Sequence, residues 1–501
     1  MRCAPLIALA LGAALPARAQ EPRLGVIAFP TSAGPAAQAS FVRGVLYLHS
    51  FEYSSAAAAF REAQRLEPNF AMAYWGEALT YDHPLWNEHD RAAAQAVLAR
   101  LAPTPEERQA RAPTDRERRY LGAVELLYGT DGSKPRRDTL YAEAMRSLRE
   151  AYPEDAEAEA FYALSLLGLS QGQRNVPTYM QAGAIALALM ARSPDHPGAA
   201  HYAIHSFDDP DHAPLGLPAA RAYSRIAPDA PHAQHMTTHI FLALGMWDEV
   251  VSQNVIAAGP DPAAWRPGHY TEWLHSGLLQ LGRSAAADSL YRRTLANIGA
   301  NPSAGRIHSA FLMHAAQIVD AETWSGPLID LRPPAARASR GARAAESFAL
   351  GLAAARRGDR PAALVEQARL DALVAEPATP GDETQQGTVV ALARSLAAAV
   401  AFDAGDRDRA LALLSEASAG EEGMAVEFGP PGVVKPTFEL RGEFLLAMGR
   451  PAEAQQAFAR ALAMYPKRLL SLRGLAVAAT AAGDPATAER ATRALPRGGS
   501  E

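Results

Sequence analysis

Apolar residues along the chain recur at steps of three and four, and no stretch alternates apolar with polar residues as a half-buried strand would. Alanine, leucine, arginine and glutamate, which favour helix, supply much of the rest. The pattern predicts helix from end to end. The helices are punctuated by glycine. A glycine followed five residues later by a small residue recurs at Gly245/Val250, Gly282/Ala287, Gly358/Ala363, Gly405/Ala410, Gly449/Ala454 and Gly483/Ala488. Glycine at this step predicts the turn between two helices, repeated along the chain.

Two stretches fill in the repeat. One carries Gly44, Tyr47, Ala56, Phe60, Ala63 and Pro68; the other carries Gly442, Leu445, Gly449, Ala454, Phe458, Ala461 and Pro466. A small residue lets two helices approach, an aromatic ring fills the space beside it, and proline stops the second helix. These positions resemble the tetratricopeptide repeat, whose period is about 34 residues. The expected fold is all-α, an α-solenoid of tetratricopeptide-like helix–turn–helix repeats.

The array is interrupted. Residues 102–118 read as a Pro- and charge-rich connection before a helix starting near Arg118. Residues 325–345 read as a linker, and 373–388 and 419–437 as long loops. We expect an N-terminal block over 36–320, a linker over 321–342 and a scaffolding C-terminal block over 343–497.

Composition adds the setting. Residues 1–19 combine Arg2, an apolar run from Ala4 to Leu15 and an Ala17-Arg18-Ala19 ending, the pattern of a secretory signal peptide. The expected location is extracytoplasmic, periplasmic or secreted. Cys3 is the only cysteine, so the mature chain has no thiolate to offer a metal. Loss of Arg2 and Arg18 leaves 46 basic against 54 acidic side chains, a net charge of −8. That balance disfavours nucleic acid as a partner. No later stretch is apolar enough to span a membrane.

The candidate chemistry is histidine. All 14 histidines precede residue 315, and seven of them lie between 196 and 239. His201 and His205 are four apart, as are His235 and His239, and the second pair follows the first after 34 residues. With Gly245 as the turn, His235 and His239 fall on the first helix of a repeat. His201 and His205 fall on the first helix before it. His232 shares the face of His235. His269 and Glu272 hold matching places on the next first helix. First helices line the concave side of a solenoid, so these residues are expected to converge in one groove. Asp208 and His212 sit in the acidic turn at its mouth, beside Asp209 and Asp211, which can equally be turn builders.

Histidines at i and i+4 can share one metal ion. The candidate ligands are therefore His201, His205, His232, His235, His239, His269 and His212, with Asp208 or Glu272 as oxygen ligand or supporting partner. Imidazole suits Zn, Cu, Fe and Ni. His49, His83, Trp86, Tyr270 and Trp273 are further candidates for the groove wall. Histidines in a groove can also bind a peptide or pair with carboxylates inside the solenoid. Two alternatives thus stand beside a metal-binding scaffold: a metal-free scaffold for a peptide or protein partner, and a metal-dependent hydrolase or oxidase. No H-E-x-x-H, G-x-S-x-G, Walker or dinucleotide motif is present.

The segments FAMAYWGEALTYDHPLW, HPGAAHYAIHSFDDPDHA, HAQHMTTHIFLALGMWDEVVSQN and PPGVVKPTFELRGEFLLAMGR resemble a widespread group of exported bacterial tetratricopeptide-repeat proteins. The resemblance spans roughly residues 38–490 and is most specific in the histidine block. Relatives more often carry His-Glu-Leu where this chain has Phe438-Glu439-Leu440. The group has no defined activity. The resemblance implies the fold and the weight of the histidine block, and supplies no reaction.

Overall fold

The structure, a computed structural model, describes residues 21–496 apart from 131, 171–173, 336, 378–382 and 426–427. Residues 1–19, expected to be a signal peptide, lie outside the described residues. Among those described, 24 α-helices, numbered α1 to α24 in chain order, one short 3₁₀ helix (Pro262–Ala264) and one two-residue strand pair (Asp82–His83 with Glu88–His89) account for the regular structure. Successive helices pack as antiparallel hairpins, and each hairpin packs on the next. The chain is an α-solenoid of tetratricopeptide-like repeats.

The glycines do what their spacing predicts. Gly245, Gly282, Gly358, Gly405, Gly449 and Gly483 all follow a helix end with φ between 63° and 85°. A left-handed residue there closes the last helical turn and redirects the chain, and glycine adopts it without a Cβ penalty. Close approach is as clear. The Phe60 ring on α2 (Tyr53–Leu66) sits where Cβ atoms would be at Gly44 on α1 (Pro35–His49) and Gly76 on α3 (Ala71–Leu79). Phe458 on α22 (Pro451–Met464) is wedged between Gly442 and Gly474 in the same way. Removing such a ring costs about 3–5 kcal/mol.

Three expected interruptions are partly helical. Thr104 and Thr114 each accept from the backbone N–H three residues on, and the Glu at that position reaches back. These capping boxes start α5 (Pro105–Gln109) and α6 (Asp115–Leu127) inside the expected 102–118 connection. Likewise α18 (Arg360–Ala375), α19 (Glu383–Asp403) and α20 (Arg407–Glu422) reach into the expected 373–388 and 419–437 loops, so both loops are shorter than expected. Between α16 (Ala304–Asp320) and α17 (Arg340–Arg356) none of the described residues is helical, and Leu328 tucks its side chain into the core there.

The superhelix brings distant repeats together. Arg468 is buried and pairs with Asp320 and Glu439, and Gln280 accepts from the backbone N–H of Leu469 at 2.9 Å. Trp247 Nε1 donates to the Lys467 carbonyl at 3.0 Å. An N-terminal strap also crosses the first repeats. Val26 N–H donates to the Asp195 carbonyl at 2.9 Å, and Leu24 and Phe29 are buried beneath it.

Candidate metal centre

The helices that carry the paired histidines are α10 (Pro197–Ser206) and α12 (Pro231–Ala243), followed by α14 (His269–Gln280). All are first helices of their hairpins, and α10 packs on α12. Every residue of α10 is buried, as are all from Ala233 to Phe241 on α12. A helix buried all round places its polar side chains against each other rather than in water.

Two trios result. The ligand atoms of His201, His205 and His232 lie within 4.8 Å of one another, and so do those of His235, His239 and His269. Each trio is an i, i+4 pair completed by a histidine from the first turn of the next first helix. Within the pairs, Nε2 faces Nε2, at 3.1 Å for His201 and His205 and at 3.3 Å for His235 and His239. Two imidazole nitrogens sharing a tetrahedral ion at bond lengths of 2.0–2.1 Å are about 3.3 Å apart.

The opposite ring nitrogens fix the tautomers. His201 Nδ1 donates to the His49 carbonyl at 2.6 Å. His235 Nδ1 donates to Asn254 Oδ1 at 2.8 Å; the Asn254 amide donates to the Val250 carbonyl, which orients it. His239 Nδ1 donates to the buried Asp208 carboxylate at 2.5 Å. A proton on Nδ1 leaves Nε2 with a bare lone pair. In the second trio two such lone pairs therefore point at each other. In the first, the buried Nε2 of His232 and the buried Nδ1 of His205 have no hydrogen-bond partner.

Burial keeps His201, His205, His232 and His235 neutral. Burial, reinforced by neighbouring histidines, holds His205, His232 and His235 well below the usual imidazole range. Burial pulls His201 down to about 3. Neutral imidazole is the form that binds metal. Phe51 floors the first trio. It holds a left-handed φ of 53°, a strained state for a bulky residue, and its ring centroid lies 4.3 Å from that of His201.

His201 and His235 are wholly buried, while His205, His232, His239 and His269 form one wall of a cavity of ≈ 800 Å³. The other wall comes from the C-terminal repeats, through Gln385, Thr388 and the loop carrying Phe428, Pro430 and Gly432. Gly429 in that loop lies where a Cβ would strike the Trp273 ring. Sequence reasoning gave this block only a scaffolding part.

Other expected residues find other places. Asp208 is no member of a trio; it orients His239. Glu272 faces the cavity outside both trios, its carboxyl pushed up to about 7 by burial against the opposing effect of a hydrogen bond with Ser309. His212 is drawn off by Asp209, which also caps the turn and pairs with Arg174, so the turn-building role applies to Asp209. His83 pairs with Glu88 and stacks on Tyr53. Trp86 and Trp273 line the cavity, and Tyr270 packs on His235.

His49 is not in the groove. It is fully buried in a third cluster that sequence reasoning missed, His49–Glu157–His196. Nε2 of His49 donates to Glu157 Oε2 at 2.7 Å, and Nε2 of His196 donates to Oε1 at 3.1 Å. Tyr202 donates its hydroxyl to His49 Nδ1 at 2.8 Å, and the Ala199 N–H donates to His196 Nδ1 at 3.2 Å. Every ring nitrogen is used. Burial alone would raise the Glu157 carboxyl, but the two imidazoles outweigh it and hold it at about 2.

No protein-family model and no curated protein matches the chain. Among solved structures, it is similar to a human IFIT1 dimer with m7Gppp-AAAA, at 14% identity over 92% of this chain and 91% of that one, with a TM-score of 0.36. It is also similar to the APC/C hetero-tetramer Cut9-Hcn1, at 12% identity over 93% of each chain, with a TM-score of 0.31. Neither likeness bears on what this chain binds. No helix among the described residues is long and apolar enough to cross a membrane.

Proposed function

We propose that this chain is an exported solenoid protein that holds divalent transition-metal ions through His201, His205 and His232 and through His235, His239 and His269. One observation carries the reading. His235 and His239 each commit their Nδ1–H to a hydrogen bond, so two bare Nε2 lone pairs face each other at 3.3 Å in a buried site. Such a pair requires a cation between them. A proton serves two nitrogens; the third, from His269, suits a metal ion. Zn, Cu and Fe all match an imidazole site, and the carboxylate–histidine arrangement at Asp208 is that of a supported metal ligand.

The cavity favours a small ligand over a peptide partner. A volume of ≈ 800 Å³, walled on one side by the C-terminal repeats, falls in the range of small-molecule sites rather than of an open peptide groove. A second reading, a metal-dependent enzyme, is favoured by Glu272. Its carboxyl, raised to about 7, faces the same cavity three residues from His269, as a general base at neutral pH would.

Elemental analysis of the untagged chain, purified from metal-replete medium, tests the proposal. We expect bound transition metal, lowered in the His235→Ala/His239→Ala variant. A chain that carries no metal under these conditions, in either form, would overturn the metal reading.

A further inference from the structure

The two trios are contiguous. His232 and His235 lie three residues apart on α12, so one helix face supplies a nitrogen to each trio. Their ring centroids are 6.3 Å apart, and across the α10–α12 contact those of His205 and His239 are 5.7 Å apart. Each trio approaches its ion from the protein side. Their open sides share one cavity, because His205, His232, His239 and His269 all line it.

Charge supplies the next step. Six neutral imidazoles bring no negative charge to two divalent ions. Asp208, which holds His239, and Glu272, in the cavity wall, offset at most half of the four positive charges. Uncompensated charge in a buried site is costly. The deficit calls for an anion, and the cavity gives one an approach to all four of the ligands that line it.

We propose, resting on the metal reading above, that the two trios form one dinuclear centre whose ions share a small exogenous anion, hydroxide or another oxygen or nitrogen donor, admitted from the cavity. Two-metal sites of this kind hold their ions about 3.5–4 Å apart. A shared ligand at that distance couples the two ions magnetically and makes their uptake interdependent. The cavity then serves as the entry for whatever replaces the bridge.

The test uses the full mature chain, stripped with a chelator and titrated with Cu(II) under electron paramagnetic resonance. The expected result is uptake of two ions per chain, with loss of the Cu(II) doublet signal as the second ion enters. His269→Ala, at the exposed rim, is expected to retain one ion with its full doublet intensity, so the signal returns. Two ions that keep the full intensity of isolated Cu(II) would overturn the dinuclear centre, as would saturation of the unaltered chain by a single ion. Both of those results leave the metal reading intact. Absence of Cu(II) uptake would instead remove both.

Discussion

The His49–Glu157–His196 cluster and the His235–His239–His269 cluster are built from the same side chain in adjoining repeats, and they differ in how their ring nitrogens are used. In the first, one carboxylate accepts from both imidazoles, and a tyrosine and a backbone N–H satisfy the rest. Nothing is left to bind a ligand. In the second, the protein satisfies Nδ1 and leaves Nε2 to face Nε2. Proximity of histidines is therefore a poor guide to metal sites. The hydrogen-bond inventory of each nitrogen separates a closed structural network from an open ligand set.

The largest effect should come from breaking the closed network. Glu157→Leu leaves two buried imidazoles without their acceptor, and removing one member of a buried ionic network typically costs about 3–5 kcal/mol. Urea unfolding should register that loss, while metal content per folded chain stays unchanged. A metal deficit at full stability would reverse the assignment of the two clusters.

The open cluster should behave in the opposite way. His269 is exposed at the rim, so His269→Ala should change the stability of the metal-free chain by no more than about 0.5 kcal/mol. What it should lose is stabilisation by added metal, which for an intact site at a hundredfold excess over Kd is about 2.7 kcal/mol. Thermal melts with and without metal give both numbers.

Asp208→Asn keeps the shape and removes the charge that orients His239. Loss of such a partner weakens metal affinity by about 10–100-fold, measurable by competition with a chromophoric chelator. An unchanged affinity would mean that Asp208 serves only the turn.

Acid stability probes the closed network from the other side. Glu157 is held at about 2 in the folded chain, below the ordinary carboxylate value near 4.3 that the unfolded chain adopts. Its contribution is complete above the unfolded value and is lost as pH falls through the folded one. Between about pH 4.3 and 2 the unaltered chain should thus lose stability more steeply than Glu157→Gln. Parallel curves would show that the imidazoles do not hold the carboxyl down.

The repeat architecture was legible because it depends on residues with few substitutes. Glycine alone adopts φ near 70° freely, so Gly245 through Gly483 mark their turns in the sequence, and the 34-residue step of the histidine pairs follows from that register. The capping boxes at Thr104 and Thr114 follow T-x-x-E, a signal that the reading of 102–118 as a connection overlooked. What was not legible depends on long-range closure. Glu157 meets His49 across 108 residues, and Phe428 approaches His239 only because the superhelix folds back. Asn254, which fixes the His235 tautomer, has no counterpart one repeat earlier, where the residue is Ala220. Periodicity places a side chain on a helix face and says nothing of what covers that face.

X-ray absorption spectroscopy at the edge of the bound metal tests the central claim most directly. For zinc, the account predicts nitrogen scatterers at 2.0–2.1 Å with outer-shell scattering from several imidazole rings, diminished in the His235→Ala/His239→Ala variant. A shell of oxygen alone, or an imidazole signal that the variant leaves intact, would contradict it.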